Sequence, residues 1–148
     1  MLKKAFLISV LMTIPSLSHS TIQTKKQIDC LATNIYHEAK GESRKGKLAV
    51  GFVTINRTKS GKFPKDICEV VHQKTNKTFQ FSWVKNKKYA KVNKNLYTDI
   101  RDIAELVYHN YDDLDDPTNG SLYFHSTRIN PKWGKKKTVV INNHVFYK

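Results

Sequence analysis

The stretch IDCLATNIYHEAKGE, residues 28–42, decides the fold because its apolar residues recur at the spacing of a helix. Side chains three or four positions apart lie on one face of a helix, and here they are Ile28, Leu31, Ala32, Ile35 and Ala39. The pattern predicts a helix from about Lys26 to Ala39. Gly41 follows it, and glycine is common just after the last turn of a helix.

The end of this predicted helix carries the first candidate for chemistry. Glu38 follows Tyr36 and His37 at the edge of the apolar face. A carboxylic acid in partly apolar surroundings has a raised pKa, so it can donate a proton near neutral pH. Cleavage of a glycosidic bond requires such a proton donor. The sequence therefore indicates Glu38 as a candidate catalytic residue.

The same residues do not indicate a metal site. His37 and Glu38 begin like a zinc-protease motif, but that motif needs a second histidine where this chain has Gly41. The other histidines are too scattered to define a site. The sequence therefore predicts no metal and no cofactor.

The first twenty residues are typical of a secretory signal peptide. Two lysines precede an apolar stretch, residues 5–14, which is too short to span a bilayer comfortably. We therefore divide the chain into a signal peptide, residues 1–20, and one domain, residues 21–148, with cleavage after Ser20. A buried N-terminal helix and a retained signal anchor are the alternatives. The predicted location is the periplasm or the extracellular cell wall.

The chain is strongly basic, with a formal net charge of +14. An exported protein of this charge favours an anionic partner, such as a cell-wall polymer, anionic lipid or nucleic acid, although solubility alone explains part of the excess. The lysines are spread through loops, which indicates a broadly basic surface and no helix that reads a nucleic-acid groove. We expect no nucleic-acid partner, no stable membrane span after signal cleavage, and a monomer.

Two cysteines, Cys30 and Cys68, are present. In an exported protein an isolated pair favours one disulfide. Two buried thiols are the alternative.

The rest of the chain predicts helices first and strands last, which is typical of a small single-domain α+β fold. Further helices are expected at residues 45–57, 66–73 and 97–111, and short strands of an antiparallel sheet at residues 122–125, 138–141 and 144–147. Between them, residues 74–95 are polar, aromatic and lysine-rich, and we expect an extended functional loop there.

Six blocks of the sequence, in this order, resemble a known family. They are IYHEAKGE at 35–42, the helix ending in Asn-Arg at 46–57, FPKDICEVVHQ at 63–73, QFS at 80–82, GSLYFH with a following Pro and Trp at 120–133, and INNHVFY at 141–147. The family is the SleB/CwlJ-type cell wall hydrolases, the spore-cortex-lytic-enzyme-like peptidoglycan hydrolases. The chain departs from the family pattern by Lys40 for Arg, Ser121 for Ala and Asn142 for Gly.

The resemblance implies a peptidoglycan-cleaving enzyme with a lysozyme-like or lytic-transglycosylase-like fold. Such enzymes cut the glycan strand between N-acetylmuramic acid and N-acetylglucosamine with one essential glutamate, which here is Glu38. A hydrolytic glycosidase normally needs two carboxylates. Glu42 is the nearest in sequence, but Gly41 is expected to end the helix between them, so we assign Glu42 a supporting role.

With one acid, a lytic transglycosylase that forms a 1,6-anhydromuramoyl product is the expected scheme. The alternatives are a hydrolytic muramidase or glucosaminidase, an inactive peptidoglycan-binding protein, and an exported basic protein that binds nucleic acid or membrane. The expected substrate-binding residues are Tyr36, Gln80, Tyr123 and His125. Tyr123 and His125 alternate along a predicted strand and so face one side. The alternative for Tyr36 is that it packs the helix end, and the alternative for Tyr123 is that it packs in the core.

Overall fold

The structure is a computed structural model that describes residues 17–76, 78–85 and 93–148. Its helices are α1 (Leu17–Ala39), α2 (Arg44–Lys59), α3 (Ile67–His72) and α4 (Lys94–Asn110), with a short 3₁₀ turn at Ser82–Lys85. Its strands are β1 (Lys74–Thr75), β2 (Thr78–Phe79), β3 (Tyr123–Ser126), β4 (Lys137–Ile141) and β5 (His144–Tyr147). The predicted α+β class, with the main sheet after the helices, is confirmed.

Helix α1 begins at Leu17, well before the predicted start at Lys26. Residues 20–26 are mostly exposed, and Ile22 keeps 67% of its surface open to solvent. Because these residues bury little, they lack the apolar periodicity from which the helix was predicted. Residues 1–16 of the expected signal peptide lie outside the described residues, and cleavage after Ser20 stays a prediction.

Helix α2 is the centre of the molecule. Its buried residues include Val50, Phe52 and Ile55, which pack with α1 and α4, and Ala49 and Val53, which pack against the sheet. Small residues permit this close packing. A Cβ at position 51, where glycine stands, would lie 3.3 Å from Ile35 Cδ1. Ser43 caps the helix, because its hydroxyl accepts a hydrogen bond from the Gly46 amide.

The main sheet is antiparallel, with the strand order β3-β5-β4. One of its faces presents Phe124 and Phe146 to α2, where they join Ile141 in a small apolar cluster. The β4–β5 turn contains Asn142 with a φ of 50°. Asparagine accepts this left-handed conformation better than most residues, so the turn is formed although the family's glycine is absent.

The described segments contain no helix that is long and apolar enough to cross a membrane.

Helix α4 is amphipathic, as predicted, and buries Ile100, Ile103, Ala104 and Val107.

A disulfide between Cys30 and Cys68 joins α1 to α3, with Cα atoms 5.2 Å apart. The same two helices are linked by Gln27, whose amide donates to Asp66 at 2.6 Å and accepts from the Ile67 amide at 2.7 Å. The disulfide closes a loop with a sequence separation of 38 residues. Closing a loop of this length restricts the unfolded chain by about 4 kcal/mol in the chain-entropy model.

We expect the double substitution Cys30→Ala and Cys68→Ala to lower the free energy of unfolding by about 2–4 kcal/mol. Urea denaturation of the oxidised protein and of the variant measures this difference. The variant itself should be insensitive to reductant. If reductant left the stability of the wild-type protein unchanged, the disulfide would contribute nothing.

Candidate active site

Glu38 lies in the last turn of α1, where its neighbours on the helix fix its position. Ile35 and Ala39 are buried in the core on either side of it. The Glu38 side chain is partly buried. Burial raises its pKa to about 7, while the positive charge of Arg57 acts in the opposite direction. A carboxylic acid with such a pKa can both donate and accept a proton near neutral pH.

Arg57, near the end of α2, is the charged group that acts on the pKa of Glu38. It is only 4% exposed, and its Nε donates to the Leu122 carbonyl at 2.7 Å. The guanidinium carbon lies 5.0 Å from the ring centre of Phe63, 5.1 Å from that of Phe81 and 6.0 Å from that of Tyr123.

One guanidinium nitrogen, Nη1, is buried and has no hydrogen-bond partner among the described residues. Burial lowers the pKa of Arg57 to about 10, against the charges of Tyr123 and Glu38, which raise it. Arg57 therefore stays charged at neutral pH and keeps one hydrogen-bond donor available.

A second group of side chains fixes the loop after α3 against α1. The rings of His37 and Trp83 are stacked, with centres 4.3 Å apart and an interplanar angle of 20°. Trp83 Nε1 donates to Asn34 Oδ1 at 3.2 Å, and the amide nitrogen of Asn34 donates to Thr54. This chain of contacts joins the loop to α1 and α2.

Glu42 lies beyond the end of α1 and bonds to the β4–β5 turn. Its two carboxylate oxygens accept from the backbone amide of Asn143 at 3.3 Å and from its side-chain amide at 3.1 Å. Next to it, the Ser43 hydroxyl donates to Asn142 at 2.6 Å. These contacts favour a supporting role for Glu42, in which it holds the α1–α2 turn against the sheet.

Tyr123 and His125 share one face of β3, but their surroundings differ. Tyr123 contacts Arg57 and lies 5.9 Å, centre to centre, from Phe63. His125 is 7% exposed, and its Nε2 lies 2.9 Å from the Tyr147 hydroxyl. Tyr123 is therefore next to the charged pair, whereas His125 packs within the sheet.

The other two predicted substrate-binding residues are placed apart from each other. Tyr36 is 4% exposed, and its hydroxyl accepts from the Asn93 amide at 3.0 Å. This placement favours the alternative that Tyr36 packs the helix end. Gln80 is exposed, and its backbone amide donates to Gln73 at 2.9 Å, beside the β1–β2 hairpin.

Arg57 was not predicted as a site residue from the sequence. The signal was present, because an arginine inside an apolar helix needs a partner for its charge. The partners Phe63, Phe81 and Tyr123 are distant in sequence, so the cluster was not visible without the fold.

Cavity size does not identify this site. A cavity of about 540 Å³ lies between α2, α3 and α4, and Glu38 is not among its lining residues. Within the described segments, no group of three or more His, Cys, Asp or Glu side chains is arranged to hold a metal ion. Glu38 is therefore a candidate because of its burial and raised pKa, and not because it lines a large cavity.

Comparison with known proteins identifies the family. The sequence profile of the cell wall hydrolase family matches residues 41–147. The match covers more than half of the chain, which therefore belongs to the cell wall hydrolase family and is an enzyme. This confirms the resemblance to the SleB/CwlJ-type enzymes. Glu38 precedes the matched segment, so the profile does not assign its role.

Two solved structures are similar over 84% of this chain. The catalytic domain of the germination-specific lytic transglycosylase SleB from Bacillus anthracis has 25% sequence identity and a TM-score of 0.63, with 95% of that chain covered. The catalytic domain of Bacillus cereus SleB has 24% identity and a TM-score of 0.60, with 91% covered. No curated protein matches the chain significantly.

We expect the substitution Glu38→Gln to stabilise the fold at high pH. The pKa of Glu38 is about 7 in the folded protein and about 4.3 in an unfolded chain. The folded state therefore disfavours the carboxylate, and the wild-type protein loses stability as the pH rises from about 4.3 through about 7. The full penalty is at most about 4 kcal/mol.

Urea denaturation of both proteins at about pH 4 and about pH 8 measures this difference. The variant should gain stability relative to the wild type at the higher pH. A difference that is equal at the two pH values would contradict a raised pKa for Glu38.

Proposed function

We propose that this chain is an exported peptidoglycan-degrading enzyme. It cleaves the glycan strand between N-acetylmuramic acid and N-acetylglucosamine, as a lytic transglycosylase with Glu38 as general acid and base. The observation that carries the proposal is a partly buried carboxylic acid with a pKa of about 7, beside the buried positive charge of Arg57. The similarity to the B. anthracis lytic transglycosylase domain supports the substrate class.

The reaction needs Glu38 in both protonation states. Protonated Glu38 gives its proton to the glycosidic oxygen as the bond from that oxygen to C1 of the muramoyl residue breaks. The resulting carboxylate then takes the proton of the muramoyl C6 hydroxyl, and O6 bonds to C1 to close a 1,6-anhydro ring. The products are a free 4-hydroxyl and an anhydromuramoyl end, and no water is consumed.

Arg57 supports this cycle through its charge. When Glu38 gives up its proton, a carboxylate forms in a partly buried site, where an unpaired negative charge is costly. The nearby guanidinium stabilises that carboxylate, as its lowering effect on the pKa of Glu38 indicates.

The disulfide between Cys30 and Cys68 supports export, because such bonds persist in oxidising compartments. A hydrolytic mechanism is the second candidate, because the family is named for hydrolysis and Glu42 is a nearby carboxylate in sequence. Its two bonds to Asn143 favour a structural role instead.

The first test is mass spectrometry of the products that the purified protein releases from peptidoglycan. We expect anhydromuropeptides from the wild type and a loss of about 10²–10⁴-fold in rate for Glu38→Gln. The matched control, Glu42→Gln, should retain the anhydro product. Reducing-end sugars would establish a hydrolase instead, and binding without any cleavage would establish a peptidoglycan-binding protein.

A second test concerns the pH dependence. Activity should fall as the pH rises through about 7, because protonated Glu38 is needed first. In Arg57→Met the positive charge is lost, so the pKa of Glu38 rises further and this limb of the profile moves to higher pH. The maximal rate should fall by about 10-fold or more, because the carboxylate intermediate is less stable.

Arg57→Lys is the matched control. It retains the charge, so its activity should fall at the same pH as that of the wild type. Circular dichroism of each variant verifies that the fold is intact. An unchanged pH profile in folded Arg57→Met would show that Arg57 does not act on Glu38.

A further inference from the structure

The acidic residues of this chain are confined to its first 116 residues, whereas basic residues occur along the whole chain. All twelve Asp and Glu residues lie between Asp29 and Asp116. The segment 117–148, which forms the main sheet, has no acidic side chain and six basic ones: Arg128, Lys132, Lys135, Lys136, Lys137 and Lys148. All six are exposed, and the ion pairs found between described residues involve none of them.

Four of these cations lie in the β3–β4 loop, residues 127–136, which also carries an exposed aromatic ring. Trp133 is 41% exposed, yet its ring is held at its edges by His125 at 5.1 Å and Tyr147 at 5.7 Å between ring centres. A fixed and partly open indole is a flat apolar surface on which the face of a sugar ring can lie. Ile129, 56% exposed, extends the apolar surface of the loop.

This loop adjoins the candidate active site through Tyr123. Lys135 Nζ lies 3.8 Å from the centre of the Tyr123 ring, and the Trp133 ring lies 6.5 Å from it. Tyr123 in turn contacts Arg57, whose charge acts on Glu38. A ligand bound along the loop therefore extends toward the carboxyl group that performs the reaction.

We propose that the β3–β4 loop is a binding subsite for the free carboxylates of the peptides attached to the glycan strand. Trp133 contacts the sugar or the peptide stem, and Lys132, Lys135 and Lys136 pair with the carboxylates. This inference rests on the proposed function. The substrate's own carboxylates fit better than a lipid surface, because a strand bound on this loop is positioned for cleavage at Glu38, whereas a membrane is not.

The test compares three proteins on two substrates. The triple variant K132Q/K135Q/K136Q removes three charges from the loop, and the matched control K45Q/K62Q/K65Q removes three exposed lysines elsewhere. One substrate is peptidoglycan freed of phosphate polymers. The other is the same material after its carboxylates are capped as methylamides with carbodiimide and methylamine.

We expect the wild type and the control to need about tenfold more of the capped substrate for half-maximal rate, since exposed ion pairs contribute modestly and here act together. The triple variant should show this weakening already on native substrate, with no further loss on the capped one. Its maximal rate should be close to that of the wild type. Added salt should reduce the difference between the proteins.

Co-sedimentation of the same proteins with insoluble peptidoglycan separates this inference from the proposed function. The wild type could cleave neither substrate and still bind native material better than capped material. If the triple variant then lacked this preference, the subsite would be supported and the proposed function would fail. Equal binding and cleavage of both substrates by the wild type would overturn the subsite. A triple variant that behaves like the control would also overturn the subsite. In a parallel co-sedimentation with phosphatidylglycerol vesicles, a triple variant that loses only its binding to the vesicles would overturn it as well.

Discussion

One buried cation, the guanidinium of Arg57, organises both the fold and the site. It is carried by α2, the helix that packs between α1 and the main sheet. A buried charge costs several kcal/mol unless its surroundings compensate, and here the compensation comes from aromatic rings and from the negative charge of Glu38. The rings belong to the α2–α3 loop, the segment after β2, and β3: Phe63, Phe81 and Tyr123. Segments distant in sequence are therefore brought together around a single charge.

The same pair supplies what the proposed mechanism with a single carboxyl group requires. Burial alone favours the protonated form of Glu38, and a nearby cation alone favours the carboxylate. A site with only the first effect would not release the proton readily, and a site with only the second would have no proton to give. In this protein the two effects act on one group, and the pKa of about 7 is their balance. Neither Glu38 nor Arg57 could be moved to the surface without losing that balance.

The sequence predicted those parts of the structure that depend on local periodicity. The buried face of α1, the amphipathic α4 and the short strands follow from apolar spacing, and the fold class follows from their order. The exposed start of α1 left no such pattern. The environment of Tyr36 was also hidden, because its partner, the Asn93 amide, lies far along the chain. Glu38 was predicted from its motif, whereas the cluster around Arg57 required the fold, because its aromatic partners share no spacing with it.

The net charge of +14 is distributed unevenly along the chain. A uniformly basic surface would attract an anionic polymer in any orientation, because long-range attraction depends on the summed charge. Here the sheet segment is basic without acidic residues, and the acidic residues lie in the helical part and the segment that follows α4. The cations of the β3–β4 loop lie beside Tyr123, because Lys135 Nζ is 3.8 Å from the centre of the Tyr123 ring. Within about 10 Å, where screening by salt is incomplete, individual lysines act on individual carboxylates. In the proposed function, the loop cations therefore orient an anionic strand toward Glu38.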